Sequence, residues 1–129
     1  MSQVEAFVAA FFAQHGLCSD DRSRILIVLD ELITNLRNYG YDERAVRGFA
    51  ELELALEPPR LMVELIDNGR AFDPFAQPAP DLGQPLEARS CGGLGLYIVR
   101  ALSEGTAYRR VNDRNLTRLI LRVAQSDTP

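Results

Sequence analysis

Lysine and tryptophan are absent from this 129-residue chain, and its 14 Lys-plus-Arg positions are all arginine. A phosphate loop of the G-x-x-x-x-G-K-[ST] type uses its lysine to reach the terminal phosphates, so that way of holding a nucleotide is excluded. Histidine occurs once, at His15, and the two cysteines, Cys18 and Cys91, stand far apart. That spacing excludes a zinc site built on C-x-x-C pairs and suits ordinary reduced thiols. No apolar run approaches the roughly 20 residues of a membrane helix. No basic stretch leads into an apolar one at the N-terminus, so neither an anchor nor a leader is expected, and the expected compartment is the cytoplasm. Net charge is −4 and no basic cluster stands out, which argues against direct nucleic-acid binding.

What remains is an ordinary globular composition, 47% hydrophobic and 25% charged, in a length that suits one domain spanning residues 1–129. Val4, Phe7, Val8, Phe11 and Phe12 recur at helical spacing, and Gly16 closes that segment. Ser19 or Asp20 offers an N-cap for a second helix. Its stripe is Ile25, Val28, Leu29, Leu32, Ile33 and Leu36, and Gly40 is its stop. "AELELALE" and "LMVELID" alternate with period two around Pro58 and Pro59, which predicts a hairpin with one face on a core. Residues 74–91 carry Pro74, Pro78, Pro80 and Pro85 and read as a long functional loop or lid. "GGLGLYIVRALSE" predicts a third helix. "GTAYRRV" and "LTRLILRV" predict a closing pair of strands around "NDRN". The order predicts an α+β two-layer sandwich, a mostly antiparallel sheet with helices on one face.

Several residues sit where chemistry could be done. On the second helix Arg24, Glu31, Asn35 and Asn38 form a polar strip beside the apolar stripe. An amide oxygen such as that of Asn35 suits Mg²⁺, and Glu31 could serve as a general base. Taken alone, these residues are better explained by a solvated helix face, because two such residues are common. Asp67 continues the inward phase of Leu61, Val63 and Leu65, and a carboxylate there is costly unless hydrogen-bonded. It could cap the following turn or accept an amino group from a ligand. Gly69 follows it and allows a close approach of backbone. Gly92, Gly93 and Gly95, with Leu94 between them, open the third helix, whose exposed amides favour an anion. Arg89 and Ser90 stand just before and could add a cation and a hydroxyl. A dinucleotide-binding reading of "GLGLYIV" fails, because a proline-rich loop precedes it instead of a strand. Thr117 is in phase with Leu119, Leu121 and Val123, as a core threonine would be.

Taken together and in this order, "ELITNLRNYGY", "DNGRAFDP" and "GGLGLYIV" resemble the N-box and the two glycine boxes of the GHKL (Bergerat-fold) ATPases. Within that superfamily the whole chain is similar to the anti-sigma factor serine/threonine-protein kinases. The resemblance implies ATP and Mg²⁺ as cofactors, Glu31 as catalytic base and Asn35 as Mg²⁺ ligand. It implies Asp67 on the adenine amino group with Gly69 beside it, and Thr117 supporting Asp67 through water. Asn38, Arg89, Ser90, Gly92, Gly93, Leu94 and Gly95 would complete the nucleotide-contacting set, under a lid at 74–91. The function implied is sequestration of a sigma factor and phosphorylation of an anti-anti-sigma (STAS-type) partner on serine or threonine, with a homodimer as a possible assembly. Two departures are visible. Tyr39 replaces the histidine common near the end of the N-box, and "DNGRAFD" lacks the second glycine of D-x-G-x-G. The alternative is an ATP-gated binding module without phosphoryl transfer, which needs Asp67 and the second glycine box but not Glu31. A two-component histidine kinase is disfavoured, since His15 beside Gly16 leaves no room for a phosphoacceptor hairpin.

Overall fold

The computed structural model describes residues 2–40, 48–76 and 93–126, apart from the side chains of Tyr39, Leu94 and Leu96. Two helices come first, α1 (Ser2–His15) and α2 (Ser19–Asn35), followed by the hairpin β1 (Ala50–Glu57) and β2 (Arg60–Asp67). Helix α3 (Gly93–Leu102) then leads into the second hairpin, β3 (Gly105–Val111) and β4 (Arg114–Arg122). The strands form one antiparallel sheet in the order β1-β2-β4-β3. The α+β two-layer reading therefore holds. Both hairpins fall where alternation placed them, and Asn112 and Asp113 turn the second one with φ of 51° and 61°. Paired positive φ values are what a two-residue turn needs to match the twist of its strands.

Period-two alternation fixes which face of the sheet is covered. On β2, Leu61, Val63 and Leu65 are buried, and on β4 Leu119 and Leu121 are buried with them. Val8 and Phe12 of α1, Ile25, Val28, Leu29 and Leu32 of α2, and Val99 of α3 complete the same core. All three helices thus contribute to one layer over one face of the sheet. Each such large aliphatic side chain contributes roughly 1.5–3 kcal/mol when fully removed from water. On the opposite face Glu64 is also buried, because Arg118 lies over it with Nε and Nη2 each 2.9 Å from its Oε2.

Two local details differ from the sequence reading. Neither Ser19 nor Asp20 caps α2: the N-cap residue is Cys18, in extended conformation and without a side-chain cap bond. Asp20 and Asp21 in the first turn oppose the helix dipole instead. Asp21 also turns outward from its own helix. Its Oδ2 accepts the Ala124 N–H at 2.8 Å, and Arg24 pairs with its other oxygen. The segment after β4 is thereby tied to the α1–α2 junction, where Cys18 N donates to Ala124 O at 2.9 Å and Ser126 N to Gly16 O at 2.8 Å. The second difference lies at the far end of α2. Gly40 is the last residue described on this helical path, and the last stretch, Leu36–Gly40, is a π-helical turn. Leu36 keeps helical angles, so the chain continues without a break while its winding widens.

Candidate functional site

The widened turn brings Gly40 to the end of β2, and the contact is close. Arg70 N donates to Gly40 O at 2.7 Å. A Cβ on Gly69 would stand 2.6 Å from that same carbonyl oxygen and 3.0 Å from Asp67 Oδ1. Only a glycine fits there. The helix end and the strand end are locked together, and between them opens a cavity of about 360 Å³, including its mouth.

One side of the cavity is apolar: Leu32 and Leu36 from α2, Leu65 from β2, and Phe72 and Pro74 beyond it. Asn35, Asp67, Asn115 and Thr117 add polar atoms to the lining, and each is buried. Asp67 is 4% exposed, and its Oδ1 accepts from Gly69 N and from Asn115 Nδ2, both at 2.9 Å. Its Oδ2 takes no hydrogen bond among the described residues. An acceptor-only oxygen open to a cavity with apolar lining is chemically suited to an N–H donor on a flat ring.

Glu31 and Asn35 lie one turn apart, as the sequence has them, and Asn35 Nδ2 donates to Glu31 Oε1 at 3.1 Å. Asn35 faces the cavity, whereas Glu31 faces the first turn of α3. The Glu31 carboxylate rests directly on Gly95, filling the space that a Cβ at that position would need. The contact sets a carboxylate against a helix N-terminus, where the dipole favours negative charge. The base and the glycine-led turn are therefore brought together, although some 60 residues separate them in sequence. Asn35 Oδ1 makes no hydrogen bond among the described residues. An oxygen of this kind fits Mg²⁺, which takes few protein ligands and completes its shell with phosphate and water oxygens. Among the described residues no group of three or more His, Cys, Asp or Glu side chains could hold a metal alone.

Other expected residues fall differently. Asn38 is exposed on the π-helical turn and does not line the cavity. The wider winding carries it off the face that regular α-helical spacing assigned to it. Arg24 is exposed and paired with Asp21. Thr117 is buried and lines the cavity, but it stands opposite Leu65; the residue opposite Asp67 is Asn115. Gly93 and Leu94 lie in the first turn of α3. Arg89, Ser90, Gly92 and positions 77–91 of the expected lid lie outside the described residues. The beginning of that segment, Pro74–Ala76, is a 3₁₀ turn with Phe75 N donating to Asp73 Oδ1 at 2.8 Å. Asn115 belongs to the site and carried no motif signal, whereas Arg70 and Phe72 lie within "DNGRAFDP" without having been singled out. Asn115 does share the period-two phase of Thr117 and Leu119, but the register that sets it against Asp67 is a property of the folded sheet.

A fold of this shape with an acceptor-lined slot is that of a nucleotide-binding ATPase, and a comparison of families agrees. The family model described as histidine kinase-like ATPase domain matches residues 1–121, and the chain belongs to that family, which is of the GHKL type. Among individual relatives, the serine-protein kinase RsbW of Bacillus cereus strain AH187 is 28% identical over 121 residues, covering 87% of this chain and 70% of that protein. RsbW of Bacillus cereus strain G9842 is 27% identical over 116 residues, with the same coverage. Two solved structures share the fold. The histidine kinase domain of the blue-light activated kinase of Erythrobacter litoralis EL346 superposes with a TM-score of 0.56 at 20% identity, covering 78% of this chain and 44% of that one. The Acinetobacter baumannii histidine kinase AdeS gives 0.51 at 21% identity, covering 78% and 46%. The present chain thus spans less than half of either solved chain.

Proposed function

We propose that this protein is an ATP-dependent serine/threonine kinase of the anti-sigma type. It would hold a sigma factor and phosphorylate an anti-anti-sigma partner. The observation that carries the reading is the meeting of Glu31 with Gly95, one helical turn from Asn35 and beside the slot that ends on Asp67. A base acceptor, a metal-suited oxygen and a candidate general base then lie in the order that one nucleotide would need. The relatives named as serine-protein kinases support the choice of a hydroxyl acceptor.

In this reading the adenine ring lies between Leu32, Leu36 and Leu65, and Asp67 Oδ2 accepts its amino N–H. The phosphates run outward to the α3 amides around Gly93 and Gly95. Asn35 Oδ1 would hold Mg²⁺, which would offset the charge of the phosphates. Glu31 accepts the proton of the partner's serine or threonine hydroxyl while that oxygen bonds the γ-phosphorus. The bond from the γ-phosphorus to the β–γ bridging oxygen breaks, and its electron pair leaves with ADP. Glu31 then gives the proton to solvent. Orientation and electrostatics supply most of the acceleration in such transfers.

The test is transfer of labelled γ-phosphate to an anti-anti-sigma protein by the native chain and by Glu31→Ala. Loss of about 10²-fold or more in rate with nucleotide binding retained is expected for a general base. Undiminished transfer in Glu31→Ala would remove Glu31 from that role. Nucleotide binding without transfer in the native chain would leave a gated binding module.

A further inference from the structure

Behind Asp67 lies a hydrogen-bonded cluster that none of the three motifs contains. Asn115 stands directly opposite Asp67 across the β2–β4 ladder. Its Nδ2 donates to Asp67 Oδ1 at 2.9 Å and to Arg70 O at 2.8 Å. Its Oδ1 accepts from Arg110 Nη1 at 3.1 Å and from the Tyr108 hydroxyl. Arg110 Nη1 also donates to Gly69 O at 2.8 Å. These partners leave the amide one orientation. Turned by half a rotation, Nδ2 would meet a guanidinium, and Oδ1 would meet a carboxylate and a carbonyl, all of the wrong polarity.

We propose that Asn115, oriented by Arg110 and Tyr108, is a positioning residue that makes the cavity select a ring carrying an exocyclic amino group. The inference rests on the nucleotide reading above and goes beyond it by assigning base selectivity to a residue outside the motifs. Two donors, Gly69 N and Asn115 Nδ2, converge on Asp67 Oδ1 and fix the plane of the carboxylate. Asp67 Oδ2 then remains an acceptor aimed at the ring. An amino substituent at the purine 6-position meets it with an N–H. A 6-oxo substituent sets lone pair against lone pair, and the buried oxygen goes unsatisfied. Without Asn115 the carboxylate is tied only through Gly69 and can rotate, so the distinction between the two bases weakens. Contacts to the ring faces and to the phosphates do not change, because they belong to other residues.

Selectivity, and not affinity alone, is the readout that separates positioning from a general structural role. ADP and inosine diphosphate are titrated by calorimetry into the native chain, Asn115→Ala, Asn115→Asp and Tyr108→Phe, with Mg²⁺ present. The native chain should prefer ADP by at least about tenfold, the scale set by one unsatisfied buried acceptor. In Asn115→Ala the preference should fall to about threefold or less, through weaker ADP binding at nearly constant inosine diphosphate affinity. Asn115→Asp, of the same shape but with an acceptor facing Asp67, should lose it at least as far. Tyr108→Phe, which removes one donor without changing the backbone, should lower the preference by about twofold or more. An unchanged ratio in Asn115→Ala, with both affinities reduced alike, would overturn the assignment and leave the nucleotide site standing. Should that variant not fold, an unchanged ratio in Tyr108→Phe would do the same. A native chain that binds both nucleotides equally overturns the selectivity alone, whereas one that binds neither overturns the nucleotide reading and this inference with it.

Discussion

Gly95→Ala should reverse its effect on stability according to what stands at position 31. In the native background a methyl at Gly95 occupies the space of the Glu31 carboxylate, which must leave. Departure breaks the bond from Asn35 Nδ2 to Glu31 Oε1, and a hydrogen bond to a charged group contributes roughly 1.5–3 kcal/mol. A displaced side chain held off its rotamer adds about 0.5–1.5 kcal/mol. Against this, alanine is a better helix former than glycine by up to about 1 kcal/mol. The net is a loss of roughly 1–3 kcal/mol. In a Glu31→Ala background nothing stands in the way, and the same substitution should stabilise by up to about 1 kcal/mol. Four urea unfolding curves give the cycle, with an expected coupling of about 2–4 kcal/mol, well beyond the roughly 0.3–0.5 kcal/mol of independent sites. Gly95→Ala having the same sign and size in both backgrounds would refute the contact between the base and the glycine-led turn.

Three further outcomes follow from the geometry. Asp67→Asn should weaken adenine-nucleotide binding by about 1.5–3 kcal/mol in calorimetry, because a hydrogen bond to a charged acceptor is lost. The same variant should change unfolding stability little, since Gly69 N and Asn115 Nδ2 keep an oxygen to bond; Asp67→Ala, which orphans both donors, should cost roughly 2 kcal/mol or more by urea unfolding. Asp21→Ala should destabilise by about 1–3 kcal/mol in the same assay, because the Ala124 N–H then loses its acceptor beside α2. The Arg60–Glu104 pair, with side chains 53% and 39% exposed, should show a double-mutant coupling under about 1 kcal/mol that shrinks with added salt, despite its two hydrogen bonds.

Much of the fold could be read from periodicity. Alternation on β2 and β4 gave their buried faces, and the same phase placed Asp67 inward before any contact was known. The Glu31–Asn35 pair was visible as a break in an otherwise regular polar face. What escaped the sequence depends on geometry that residue order does not encode. The π-helical turn at Leu36–Gly40 has no signature in composition, yet it moves Asn38 outward and brings Gly40 onto Gly69. Asn115 looks like one more polar residue at the start of a strand until the register sets it opposite Asp67. Thr117, which the motif resemblance singled out, is in the cavity wall but two pairs further along the ladder. The cap of α2 falls one or two residues before Ser19 and Asp20, at Cys18, whose backbone N–H is held by Ala124 O. In each case a long-range partner decided the outcome over a local preference.

The most direct test of the central claim is a calorimetric titration of Mg-ATP into the native chain, repeated with Asp67→Asn. The account predicts saturable one-to-one binding in the native chain that weakens by about tenfold or more in the variant, as loss of a charged hydrogen bond requires. No heat of binding at millimolar nucleotide, or equal affinity in both proteins, would contradict it.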